Sequence, residues 1–349
     1  MGISDTCVGR SNWYTFPMEE MSTKEKQTPE QLASKIISQE LGVEANSIES
    51  LGMSIGGAVM KIETEKGTFV VKLIANEPPA PIAEEDVSDR VYGGRWTEFQ
   101  PAYDAMKNAN LPLPTIHATG YTEDESQYFI LMDYIAGESV REYMSEADTD
   151  EKLHHTTGQT FGKLHTITRD YQGWVSMETP YETPWGEAFF SALDKQIDEI
   201  EDSNHLPTET IAKLRTFSNN QKDTWIEPDS FVLSHLDGFQ GIASKQGEDW
   251  SMDSIIDIED HQFTDQRFVL CGHELAMEAE GTKLPDSFWE GYKSTKEINS
   301  TFEQSKPLFK LYYLSVWLCV FRNKNIGDIP NRDEKAEDTI KIIESLLSN

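Results

Sequence analysis

The chain is short of cysteine, of positive charge and of long apolar runs, and each shortage argues against a class of protein. Its three cysteines, Cys7, Cys271 and Cys319, are widely spaced and form no Cys-x-x-Cys pair, so neither a disulfide framework nor a structural zinc site is indicated. That usage fits a reducing, cytoplasmic setting. Lysine and arginine total 30 against 61 aspartates and glutamates, a formal net charge of −31. Such a balance argues against nucleic acid as a partner, because phosphate backbones are held by clustered Lys and Arg and no cluster is visible. Adsorption to anionic lipid is disfavoured for the same reason. The acidic excess either keeps the protein hydrated in a salty cytoplasm or is ordinary solubilising surface. The longest apolar run, residues 311–321, is well short of the roughly 18 residues a membrane-spanning helix needs, and it reads as a buried helix. Residues 1–27 lack an apolar core flanked by basic residues, so they read as a flexible tail rather than a secretory signal.

A chain of 349 residues can form two domains or one two-lobed one. After the tail, Pro29 suits a first helical turn, and Leu32, Ile36 and Ile37 recur at helical spacing, which predicts a helix over 28–41. Strands are expected at 48–53, 58–64 and 68–74, joined by Ser54-Ile55-Gly56-Gly57 and by the tight Glu65-Lys66-Gly67 turn. The proline- and acid-rich stretch 76–89 cannot hold a regular element. A helix over 96–108 and strands at 115–121 and 128–134 complete a β-rich first part. Ile135-Ala136-Gly137 then reads as a hinge before a mainly helical remainder, with helices expected at 150–167, 186–201, 208–218 and 308–322. The expected organisation is therefore a flexible tail (1–27), a β-rich lobe (28–135) and a mainly helical lobe (136–349).

The chemistry-bearing stretch is 234–260. Phe231-Val232-Leu233 delivers His235-Leu236-Asp237 at the end of one predicted strand, and Ile255-Ile256 delivers Asp257-Ile258-Glu259-Asp260 at the end of another, as a two-carboxylate hairpin. Two such carboxylates suit metal-assisted phosphoryl transfer: one accepts the proton of an attacking hydroxyl and the other holds magnesium against the phosphates. Taken alone, they equally suit two aspartates in turns. A metal-dependent hydrolase using His235, Asp237 and Asp257 as ligands would need more histidine than this segment offers.

Further features precede this stretch in order. Val70-Val71-Lys72-Leu73 puts a lysine on the third strand, Trp96-Thr97-Glu98-Phe99 puts a glutamate on the next helix, Leu131 to Gly137 forms a hinge, and a predicted helix ends in Leu164-His165. This set resembles the aminoglycoside phosphotransferase family, whose protein-kinase-like fold is shared with choline kinases, and the likeness covers residues 41–279. The resemblance implies an α+β, two-lobed fold with a five-stranded antiparallel sheet in the first lobe. It implies an ATP- and Mg2+-dependent phosphotransferase acting on a hydroxyl of a small molecule: an aminoglycoside, choline or amino alcohol. Asp237 would be the catalytic base and Asp257 the magnesium ligand. Lys72, paired with Glu98, would meet the nucleotide phosphates. Backbone around Ser54, Gly56 and Gly57 would approach those phosphates, and Tyr134 to Ala136 would offer backbone groups to the adenine.

One position departs from the family pattern. An asparagine five residues after the catalytic-loop aspartate usually binds magnesium, and here that position is Ile242, which has no donor oxygen. Either Gln240 reaches the metal, or the loop register shifts, or water fills the place. The alternative is a weak or silent kinase-like nucleotide-binding protein. Glu259, Asp260 and Asp265 are further candidate metal or supporting groups, and His235 reads as structural. Glu182, Trp185, Glu187 and Glu274 suit a cationic acceptor, although so acidic a chain places carboxylates near any pocket. The oligomeric state is left open.

Overall fold

A computed structural model describes residues 27–54, 57–75, 98–140, 144, 150–235, 240–279, 281–323, 329 and 331–348. The tail over 1–26, the stretch 76–89, Gly56 and Asp237 lie outside the described residues.

The first helix, α1 (Pro29–Leu41), begins where the sequence provides a cap. Thr28 accepts from the Gln31 amide, the Gln31 side chain returns to the Thr28 amide, and Pro29 occupies the first turn. It stops at Gly42, whose left-handed backbone (φ 64°) lets its N–H close on Ser38 O. Strands β1 (Ala45–Ser54), β2 (Gly57–Thr64) and β3 (Gly67–Ala75) follow, then α2 (Phe99–Asn108), β4 (Ile116–Tyr121) and β5 (Gln127–Asp133). They form one five-stranded antiparallel sheet in the order β1-β2-β3-β5-β4.

Strand alternation decides which side chains face which core. Phe69, Val71 and Leu73 of β3 join Ala33, Ile36 and Ile37 of α1 in a small core on one face of the sheet. Ile74 and Ile130 belong instead to a second, larger core. Lys72, between Val71 and Leu73, therefore points away from α1 and towards the rest of the molecule. Helix α2 packs its Phe99, Ala102, Tyr103 and Met106 into that larger core, beside Ile258.

Beyond the hinge lie β6 (Glu138–Ser139), α3 (Glu151–Leu164), β7 (Thr168–Arg169), β8 (Gly173–Trp174), α4 (Trp185–Asp202) and α5 (Thr208–Lys222). Strands β9 (Phe231–His235), β10 (Gly241–Gln246) and β11 (Asp249–Ile255), a 3-10 turn (Ile258–Asp260) and β12 (His261–Thr264) come next. Helices α6 (Gln266–Ala279), α7 (Asp286–Lys293), α8 (Phe302–Arg322) and α9 (Arg332–Leu346) complete the order. The expected two-carboxylate hairpin is replaced by two sheets. Strand β9 lies in the order β7-β9-β12-β8, whereas β11 pairs with β10 in the order β11-β10-β6. The cause is β10 itself, which the tight turn at Gly247 (φ 69°) folds onto β11, so that β11 is already paired.

The larger core is aromatic: Phe189, Phe268 and Phe309 meet edge to face at 5.2–6.0 Å, and Phe268 stacks on Tyr313 at 4.6 Å. Cys271 and Cys319 are buried there as free thiols. Among the described residues no helix is long and apolar enough to cross a membrane.

Candidate active site

The site begins with Lys72. Its position on β3 leaves the residue only 8% exposed, yet its ammonium has two carboxylate partners. Asp257 Oδ1 lies 2.5 Å from Nζ, and Glu259 Oε1 makes a second ion pair with the same atom. Burial by itself would lower the Lys72 pKa, but Glu259 and then Asp257 outweigh it and hold the ammonium above its ordinary value. Burial would likewise raise Asp257, and the Lys72 charge overrides it, so Asp257 sits below the usual carboxylate range.

Local backbone brings both acids to one lysine. Asp257 has a left-handed conformation (φ 55°, ψ 45°), the 3-10 turn follows at once, and Ile258 is anchored at 2% exposure in the larger core. Asp257 and Glu259 thereby straddle Ile258 on the side facing β3. They differ in access: the Asp257 side chain is 35% exposed and that of Glu259 only 5%.

The expected pair between Lys72 and Glu98 is absent among the described residues. Glu98 directly precedes α2, and its carboxylate accepts from Ser176 N at 2.8 Å and Ser176 Oγ at 2.6 Å. Packing of α2 into the larger core draws Glu98 to the loop after β8, leaving Lys72 to the acids after β11.

Asp237 is outside the described residues, but its approach is visible. His235 ends β9, pairs in register with His261, and packs its ring on the His261 ring at 5.2 Å. The end of β9 is thereby fixed next to the strand that follows Asp257 and Glu259. His165, at the end of α3, supports the same sheet, with Nδ1 2.6 Å from Tyr292 Oη and Nε2 3.1 Å from Ser234 Oγ. Complete burial first, then nearby positive charge, keeps His165 well below the ordinary histidine range, and burial does the same for His261.

Ile242, which takes the place of the family's asparagine by residue count, lies in β10. It is paired with Ser139 on one side and Ser254 on the other, and its Cγ2 sits against Gly137, where an added Cβ would come within 2.7 Å. Gln240 lies beside the segment that carries Asp257. Its carbonyl accepts from Ile256 N at 3.1 Å, immediately before Asp257.

The remaining expected residues divide. The β2–β3 register sets Val59 opposite Lys72, which puts Ser54 and Gly57, paired across the β1–β2 turn, close to the lysine end of the sheet. Gly57 has its own steric reason: a Cβ would lie 2.0 Å from Leu73 O. The Tyr134 amide donates to Thr68 O, and Ala136 is exposed. Asp265 holds no open position, because it is fully buried against Arg267, with Oδ2 2.6 Å from Nη2. Of the residues suited to a cationic acceptor, Trp185 is core and Glu274 pairs with Lys306 at 2.9 Å. Glu182 is exposed, and Glu187 lines an open groove of about 650 Å³ with Asp194, Asp198, Phe190 and Trp225.

No protein-family model matches the chain, and no curated protein matches it by sequence. Solved structures do match by fold. A presumptive aminoglycoside phosphotransferase from Ralstonia eutropha JMP134 aligns at TM-score 0.61 and 12% identity, over 91% of this chain and 97% of its own. A presumptive fructosamine-3-kinase from Thermobifida fusca YX-ER1 aligns at TM-score 0.58 and 13% identity, over 89% and 98%. A thermostable mutant of aminoglycoside phosphotransferase APH(4)-Ia, in ternary complex with ADP and hygromycin B, aligns at TM-score 0.58 and 11% identity, over 90% and 97%. The chain thus has the α+β, protein-kinase-like fold.

Proposed function

We propose that the protein is an ATP- and magnesium-dependent phosphotransferase acting on a hydroxyl of a small molecule, in a cytoplasmic setting. The observation that carries this reading is the convergence of Lys72, Asp257 and Glu259 at one place within a kinase-like fold, beside the end of the strand leading to Asp237. Two structural neighbours hold nucleotide together with an aminoglycoside: ADP with hygromycin B in one, GDP with kanamycin in the other.

Charge supports a metal requirement. One ammonium faces two carboxylates in a protein of formal charge −31, so the site is anionic before any phosphate arrives. A polyphosphate can enter only with a compensating cation. The donors fit a hard ion: Asp257 is a partly open carboxylate, and Gln240, whose backbone carbonyl accepts from Ile256 N beside it, would bring a side-chain amide oxygen. Magnesium, when bound, neutralises charge developing on the transferred phosphoryl group. Lys72 would hold the nucleotide phosphates in fixed geometry, and Asp237 would accept the proton of the acceptor hydroxyl. The neighbours that hold hygromycin B or kanamycin support a cationic acceptor such as an aminoglycoside, choline or amino alcohol. The groove at Glu187 adds nothing to this, because Lys222 already pairs with Asp194 and lies over Phe190, and Arg215 pairs with Asp198.

A catalytically silent nucleotide-binding protein is the second reading, favoured by Ile242, which supplies no metal ligand. Magnesium-dependent ATP turnover across a panel of amino sugars, choline and amino alcohols separates the two. A phosphorylated product that disappears in Asp237→Ala supports the kinase. Wild type and variant equally inert across that panel would falsify it.

A further inference from the structure

We infer that Glu259, not Glu98, is the carboxylate that positions Lys72 for the nucleotide phosphates; this rests on the phosphotransferase reading. In a site of this kind a lysine needs a partner that stays with it while another acid turns to the metal. Lys72 has two acids in contact, and they are not equivalent. The Asp257 side chain is 35% exposed and opens towards solvent, whereas that of Glu259 is 5% exposed and is closed in with the 10% exposed lysine side chain. An open carboxylate can exchange an ammonium for a metal ion at little desolvation cost. A closed one cannot, because an ion that keeps several waters has no room at a 5% exposed side chain. Asp257 is therefore the exchanging acid and Glu259 the resident one.

Glu98 is committed elsewhere. Both of its oxygens are taken by Ser176, one by the backbone amide and one by the hydroxyl, and α2 behind it is locked into the larger core through Phe99, Ala102 and Met106. To reach Lys72, Glu98 would have to give up two hydrogen bonds at a 3% exposed position. Glu259 has no such journey, since Ile258 anchors its turn in the core and the left-handed Asp257 aims the turn at β3. The role of Glu259 is positioning: it acts on the phosphates through Lys72.

Calorimetric binding of Mg-ADP and of adenosine to wild type, Glu259→Gln and Glu98→Gln tests this, with thermal melts run alongside. Glu259→Gln is expected to weaken Mg-ADP by about tenfold or more, the loss that follows when one charged hydrogen-bond partner is neutralised. Adenosine, which has no phosphate, should bind Glu259→Gln as it binds wild type, a split that a merely structural defect would not produce. Glu98→Gln should keep wild-type affinity for both. The inference is overturned if Glu259→Gln binds Mg-ADP normally, or if Glu98→Gln takes the phosphate-specific loss instead. Should Glu259→Gln not fold, Glu98→Gln decides alone: retained Mg-ADP affinity upholds the inference and a tenfold loss overturns it. Wild-type protein that binds no Mg-ADP overturns the nucleotide reading as well, so the two failures are distinct.

Discussion

Lys72 Nζ and Asp257 Oδ1, 185 residues apart in sequence, meet at 2.5 Å between the third strand of the first sheet and the turn after β11. The two ends of this contact should respond differently to neutral substitution. In Asp257→Asn, Lys72 keeps Glu259, so unfolding free energy should change by no more than about 1 kcal/mol. In Lys72→Met, both Asp257 and the buried Glu259 lose the ammonium they share, and the loss should exceed that of Asp257→Asn by about 1 kcal/mol or more. Urea denaturation of the two variants measures both values. Equal stabilities would mean that Glu259 does not depend on Lys72.

Gln240 and Ile242 make opposite forecasts. Ile242 is a half-buried strand residue, paired with Ser139 and Ser254 and with its methyl against Gly137, so Ile242→Asn should cost about 1 kcal/mol of stability and bring no gain in turnover. Gln240→Ala, which keeps the backbone carbonyl bound to Ile256 N, should lower kcat by about tenfold or more if the side-chain amide oxygen helps hold the ion beside Asp257. Steady-state kinetics at saturating and limiting magnesium checks both, and a large rate gain in Ile242→Asn would restore the simple residue count.

These two positions also indicate how far the sequence could be read. Lys72 was legible because Val70-Val71-Lys72-Leu73 is an unmistakable strand, and alternation fixes which way its lysine points. Its partner was not, since Glu98 and Glu259 are both plausible acids and only the docking of α2 into the larger core separates them. The five strands of the first sheet and the helices rich in regularly spaced Leu, Ile and Phe were also readable. Helix α6 was missed because Gln266, Arg267 and His273 are buried polar residues that break its apolar period. Arg267 lies in the core because Asp265, two residues before it, is buried with it and pairs with its guanidinium; the pair is local, but only packing shows that both members are buried. The hairpin assignment failed at β10, whose alternating Ile242, Ser244 and Gln246 resemble surface loop as much as strand.

Acid should weaken the fold through His165 and His261. Both are held neutral by burial, with pKa values below 6.5, while the unfolded chain titrates near 6.5. Below that pH the unfolded state binds protons that the native state refuses, so stability is full above about pH 6.5 and falls as the pH drops. The slope is at most about 1.4 kcal/mol per pH unit for each histidine. Thermal melts at pH 7.5 and pH 5.5 should therefore separate, and His165→Asn should narrow the gap even if it lowers both midpoints. An unchanged gap would place the acid sensitivity elsewhere.

The most direct test of the whole site is calorimetric titration of ATP into wild type and Asp257→Asn, each with magnesium and with EDTA. Wild type should bind ATP at least about tenfold more tightly with magnesium than without, and Asp257→Asn should show no such difference. Magnesium-independent binding in wild type, or an undiminished magnesium effect in Asp257→Asn, would contradict the assignment of this cleft to a metal-bound nucleotide.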